Sequence, residues 1–222
     1  MNLKKIKEDY DPIRIVSAAS HGFGALFFLG GTIALVVKAT LFRQSFLHYL
    51  AFILYGLSAI SLYSASTLYH SVKSSIKIRE ILKKIDHSMI YVLIAGTYTP
   101  ICLLAVWQEG GKIMLPLIWV LASLGVVSSI IWIKKPNWLS ALLYLGMGWL
   151  ALTIIKPLWQ NLSGPALFLL ILGGALYSLG AVLYALRWPG RNHPVFGFHE
   201  IFHFFVLAGS FCHFFLIFAF LN

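Results

Sequence analysis

Seven runs of about twenty apolar residues, each separated from the next by charged or turn-forming residues, limit what this chain can fold into more than any other feature. At about 1.5 Å of rise per residue, one such run crosses the roughly 30 Å hydrocarbon core of a bilayer. In hydrocarbon a helix satisfies all of its backbone hydrogen bonds within one segment. The runs show no alternation of apolar and polar residues, which argues against a membrane barrel. Spans are expected near 15-37, 46-69, 86-106, 113-133, 138-156, 165-187 and 195-220. The expected fold is an all-α integral membrane protein, a single domain forming a seven-transmembrane helix bundle with short loops.

Composition agrees. Of 222 residues, 59% are hydrophobic and 11% charged, too little polar material to cover a water-facing surface. The formal charge of +10 does not imply nucleic acid, because the basic residues sit in short clusters between the spans. Membrane lipids are the expected surroundings, in a multi-pass cell-membrane protein. Cytoplasmic loops carry the excess of Lys and Arg. One side holds Lys4, Lys5, Lys7, Arg14, Lys73, Lys77, Arg79, Lys83, Lys84, Lys134, Lys135, Arg187 and Arg191, thirteen in all, and the other holds Lys38, Arg43, Lys112 and Lys156. The expected orientation is N-terminus cytoplasmic and C-terminus outside. Trp107, Trp132, Trp138, Trp159 and Trp188 fall near span ends and suit interfacial belts. The first run is too long for a signal-peptide core and lacks a clear cleavage site, so it is expected as a retained helix. Cys102 and Cys212 fall inside spans and are expected as buried thiols without a role. Pro194 suits the first turn of the seventh helix, and Pro100, after Gly96 and Thr97, predicts a kink in the third.

Ionisable side chains inside a membrane are costly and mark function unless a partner accounts for them. Four stand out: His70, Asp86, His199 and His203. His199 and His203 are four apart, so they share one helix face and can turn to one point. His70 is expected to end the second helix and Asp86 to begin the third, which brings all four to the cytoplasmic end. Three imidazoles with one open position is the pattern of a catalytic zinc site, with water as the fourth ligand. Asp86 then contacts that water or orients a histidine, and direct ligation by its carboxylate stays open. Ser66, four before His70, is a second partner on the same face. The spacing equally suits histidines that hydrogen-bond a neighbouring helix. Glu200 does not make an H-E-x-x-H motif, since His203 falls one residue late, and is expected to pack or meet headgroups. Ser17 and His21 repeat the spacing of Ser66 and His70, so His21 is a candidate for the same cavity. His87 projects about 100° from Asp86 and is expected at the interface. His48 and His213 lie too far along their helices to take part, and His193 falls in a solvated loop.

The segments S-A-S-T-L-Y-H ending at His70, D-H-S-M-I-Y-V-L-I-A-G-T-Y-T-P from Asp86 to Pro100, H-E-I-F-H from His199 to His203 and S-H-G-F-G-A-L from Ser20 to Leu26 together resemble the hemolysin III family. That family is the bacterial branch of the progestin and adiponectin receptor (PAQR) superfamily. The resemblance implies seven helices with a cytoplasmic N-terminus and a zinc ion (Zn2+) near the cytoplasmic face. By resemblance, His70, His199 and His203 bind the metal, Asp86 contacts it through water, and Ser66 matches the motif serine. The chain lacks the long N-terminal extension and extra C-terminal segment of the eukaryotic receptors, so hormone binding is not carried over. The expected function is a zinc-dependent hydrolase of a membrane lipid, at an amide bond as in ceramidase-like relatives, with Asp86 and Ser66 catalytic, contributing to membrane homeostasis. The alternative is a non-enzymatic sensor, or a pore-forming hemolysin-like cytolysin with a structural zinc. A transporter ranks last, because it would need broken helices and polar groups near the midplane.

Overall fold

All seven apolar runs are helices. A computed structural model describes residues 13–132, 135–190, 193 and 195–221. Its membrane-length helices are α1 (Ile15–Leu41), α2 (Phe46–Ser71), α3 (Ile76–Ala105), α4 (Trp107–Ile131), α5 (Asn137–Asn161), α6 (Gly164–Leu186) and α7 (Phe198–Phe220), and the described residues hold no strand. Pro194 lies outside the described residues, as do Lys4, Lys5, Lys7, Lys134 and Arg191 of the basic count. Gly197, in extended conformation, is the N-cap of α7.

Three helices depart from the expected form; in α4 the opening Trp107–Gly111 stretch is broken by non-helical Glu109 and Gly110, the latter at φ +135°, and the regular α-helix begins at Lys112. α3 starts at Ile76, so Asp86 lies ten residues into it, about 15 Å along, instead of at its beginning. The added stretch, Ile76–Ile85, is rich in Lys and Arg and shows no apolar run, although it is helical. At Pro100 the α-helix gives way to a π-helical stretch over Ile101–Ala105, the irregularity that a proline inside a helix brings. α5 is α-helical over Asn137–Trp149, narrows to a 3-10 stretch at Leu150–Ile154 and resumes at Ile155–Asn161. Just before that narrowing, the Tyr98 hydroxyl lies 3.0 Å from the Met147 carbonyl and 2.8 Å from that of Gly148. A donor from α3 thus reaches backbone acceptors at the place where the regular ladder ends, which is what a break in hydrocarbon requires.

Helices adjacent in sequence pack side by side, and α7 closes against α1. The most apolar stretch of α3 is 61% buried inside the chain, against 28% for α1, α4, α5 and α6, which makes α3 the central helix. Outward faces carry exposed Leu26, Ile131 and Phe168, as surfaces bathed in lipid should. Inside, small residues set the spacing. A methyl at Gly56 would stand 2.1 Å from Thr32 Oγ1, and one at Gly173 would stand 2.5 Å from His213 Nε2. Close α1–α2 and α6–α7 contact depends on both. The start of α1 meets the end of α2 directly, the Arg14 amide donating to the His70 carbonyl at 3.2 Å. The starts of α1, α3 and α7 and the end of α2 thereby share one end of the bundle.

Candidate metal centre

His70 sits in the last turn of α2 with no exposed surface, while His199 and His203 occupy the first two turns of α7. Their Nε2 atoms converge. His199 Nε2 lies 3.2 Å from His70 Nε2 and 3.2 Å from His203 Nε2, and one nitrogen of each ring lies within 4.8 Å of the others. Among the described residues this is the group of histidine, cysteine or carboxylate side chains arranged to hold a metal ion.

Hydrogen bonding explains this arrangement poorly. A neutral ring nitrogen carries either one proton or one lone pair. His199 Nε2 would serve both neighbours only by splitting a single hydrogen between them or taking two on one lone pair. A cation at the common focus uses one lone pair from each ring instead. Two nitrogens bound at about 2.0–2.1 Å to one tetrahedral zinc stand about 3.3 Å apart, close to the separations found. The three histidines therefore fit a metal ion.

Around them lies a cavity of about 470 Å³, of which about 30 Å³ admits the centre of a water molecule. By that measure it has room for about two waters. Ser66, Asp86 and His21 line it together with His199 and His203. The Ser66 hydroxyl is fully buried and makes no hydrogen bond among the described residues, a donor facing the space a water would fill. Asp86 is 7% exposed, and its carboxylate stands outside the three-histidine cluster, with Oδ2 3.5 Å from His87 Nδ1. His87, expected at the interface, thus touches Asp86 and lines the same cavity. His21 stacks on His203 with ring centroids 3.7 Å apart and meets the Tyr63 ring edge-on at 4.9 Å. It braces the His203 ring without joining the cluster. His213 bonds toward the Leu170 carbonyl at 3.2 Å, far from the centre, and His48 pairs with Ser45.

Glu200, expected to pack or meet headgroups, is instead the centre of a buried hydrogen-bonded clamp. It is 1% exposed and accepts hydrogen bonds from Arg14 Nη1 at 2.8 Å, Ser17 Oγ at 3.2 Å and the Gly197 amide at 2.8 Å. Ser17 therefore turns to Glu200, not to the cavity. The Gly197 contact is one half of a capping box, the Glu200 carboxylate capping the N-cap amide where glycine has no side chain to return the bond, and it ties the two turns that carry His199 and His203 to the chain before them. Arg14 holds both sides of the centre: its backbone amide bonds to His70 and its guanidinium to Glu200. The local signal is partial, since glycine is an accepted N-cap and an acidic residue suits the first turn of a helix, but the serine or threonine of a full capping box is missing. The partner, 186 residues away in the chain, gives no local signal.

The sequence profile of the Haemolysin-III related family matches residues 14–214. The "Hemolysin-3 homolog" of Bacillus subtilis is 40% identical over 91% of this chain and 92% of its own length. "Hemolysin-3" of Bacillus cereus is 38% identical over 91% and 89%. More distantly, the adiponectin receptor protein of Drosophila melanogaster is 27% identical over 88% of this chain, which spans 48% of that receptor.

Proposed function

Since the chain belongs to the haemolysin III family, distantly related to the adiponectin receptors, and is a multi-pass protein of the bacterial cell membrane, we propose that its three-histidine centre binds zinc and hydrolyses a membrane lipid at an amide bond. The observation that carries this reading is the pairing of three converging ring nitrogens with a water-sized cavity lined by a carboxylate and an unpartnered hydroxyl. A zinc ion bound there would lower the pKa of a water toward about 7 and polarise a carbonyl.

The chain's own groups supply the rest. Asp86 takes the proton from water as the water oxygen attacks the carbonyl carbon, then passes it to the nitrogen as the C–N bond breaks, leaving a carboxylic acid and an amine. The Ser66 hydroxyl donates a hydrogen bond within the cavity and orients the water or the carbonyl oxygen. His21 holds the His203 ring by stacking, and the Arg14–Glu200 pair holds α7 in register with α2. The cavity has room for waters, not for an acyl chain, so substrate entry requires the helices that line it to part. By the basic residues counted above, the centre faces the cytoplasm.

A second reading keeps the metal and drops the catalysis. The ligands come from the end of α2 and the start of α7, so a bound ion would brace those helices and contribute to folding. The small cavity favours this reading, which suits a sensor or a lytic protein of the kind the Bacillus names suggest. Lipid amides in mixed micelles, incubated with zinc-loaded protein and followed by mass spectrometry of the released acid, separate the two. Hydrolysis abolished by Asp86→Asn and reduced by Ser66→Ala supports the enzyme. Intact lipids beside fully zinc-loaded, folded protein leave the brace.

A further inference from the structure

At the same end of the bundle, α3, the end of α4 and the start of α5 form a second concavity of about 270 Å³ counted with its solvent-open mouth, its interior narrower than the histidine cavity. Lys83 and Lys84 line it from α3, and Lys135 lines it from the α4–α5 connection. All three are half-buried, and none of the described residues lining the space is acidic. The Lys135 ammonium is placed by neutral groups: it donates to Ser128 Oγ at 2.7 Å and lies 5.9 Å from the centroid of the Tyr91 ring. Partial burial holds the Lys135 ammonium below the usual lysine pKa. The Lys84 and Lys135 ammonium groups, both at the edge of a low-dielectric bundle, repel one another, and an anion between them relieves that repulsion.

The anion's chemistry follows from the remaining lining. Buried Ser129 and Ser140 add hydroxyl donors, and half-exposed Trp132 marks the headgroup level of the bilayer. Lysines and hydroxyls without a competing carboxylate suit a compact anion rich in acceptor oxygens, and basic pockets between membrane helices take phosphate headgroups. From this we infer that the open mouth of the concavity binds a phosphate group, carried by a phospholipid headgroup or by a soluble phosphate. His87 and Ser140 line both this space and the histidine cavity, so a phosphate held here is separated from the centre by one layer of side chains. A lipid anchored by its phosphate would present its linkages to that centre. Resting on the hydrolase reading, this last step makes the substrate a phosphate-bearing lipid; the binding itself does not depend on hydrolysis.

Native mass spectrometry of the full chain in detergent tests the site, titrating phosphatidylglycerol, neutral diacylglycerol and inorganic phosphate separately. The variants are Lys84→Gln/Lys135→Gln, the charge-keeping Lys84→Arg/Lys135→Arg, and Lys112→Gln as an exposed control at the other end of the bundle. Expected is saturable binding of phosphatidylglycerol but not diacylglycerol, weakened roughly thirtyfold by the double Gln change and kept in the Arg variant and the control. If inorganic phosphate binds with the same dependence and the lipid does not, the site belongs to a soluble phosphate. Equal binding of both probes by wild type and the double Gln variant, with the variant folded, overturns the inference. Cleavage of lipid amides irrespective of a phosphate would remove the substrate assignment and leave the pocket standing.

Discussion

The Glu200 carboxylate is almost entirely enclosed, yet it takes three hydrogen bonds, one of them from the Arg14 guanidinium. A buried carboxylate stripped of its cation is more costly than one that never had it. Arg14→Ala alone should therefore destabilise the protein by about 2–4 kcal/mol, and adding Glu200→Gln should return part of that loss. Chemical denaturation in detergent, run as a double-mutant cycle, checks this. Simple additivity of the two changes would mean that the pair does not act as a unit. The same variants should weaken metal binding, since Arg14 joins the helix end bearing His70 to the helix start bearing His199 and His203. His70, His199, His203, Asp86 and Ser66 were all legible as candidates, because each is a polar group that hydrocarbon penalises. The service of Glu200 was not, because it depends on an arginine at the far end of the chain.

Element boundaries follow the same division between local and distant causes. The spans could be read because an apolar run of membrane length is itself the physical requirement. The first ten residues of α3 could not, since Ile76–Ile85 mixes lysines and arginine with isoleucines and announces no run. Nor could the 3-10 stretch at Leu150–Ile154, whose sequence is as apolar as its flanks and whose stabilising donor, Tyr98, comes from α3. Tyr98→Phe should cost about 1–3 kcal/mol and speed amide exchange around Leu150–Ile154 ahead of the rest of α5. Unchanged exchange there would show that the break stands without that hydroxyl. At the α1–α2 contact, Gly56→Ala meets the β-branched Thr32 and should cost about 1–3 kcal/mol, with most of it recovered by Thr32→Ala. A thermal-melt series of the two single variants and the double variant decides whether that clash sets the helix spacing.

For the molecule as a whole, the consequence of the fold is that one end of the bundle gathers the histidine centre, the Arg14–Glu200 clamp and the lysine-lined concavity. The basic residues predict that this end faces the cytoplasm. Single cysteines at Lys73 and Lys112, at opposite ends, should then react with a membrane-impermeant maleimide in intact cells at residue 112 alone; labelling at 73 alone would invert the topology. Whether the centre holds a metal at all matters more. The most direct measurement is the metal content of untagged, detergent-purified protein by mass spectrometry, beside a His199→Ala/His203→Ala variant. About one zinc per chain, lost in the variant and accompanied by a lower thermal midpoint on chelation, is the predicted result. Folded wild-type protein that carries no metal, takes up none when zinc is supplied, and melts at the same temperature with or without chelator would contradict it, and would leave three histidines packed together for some other reason.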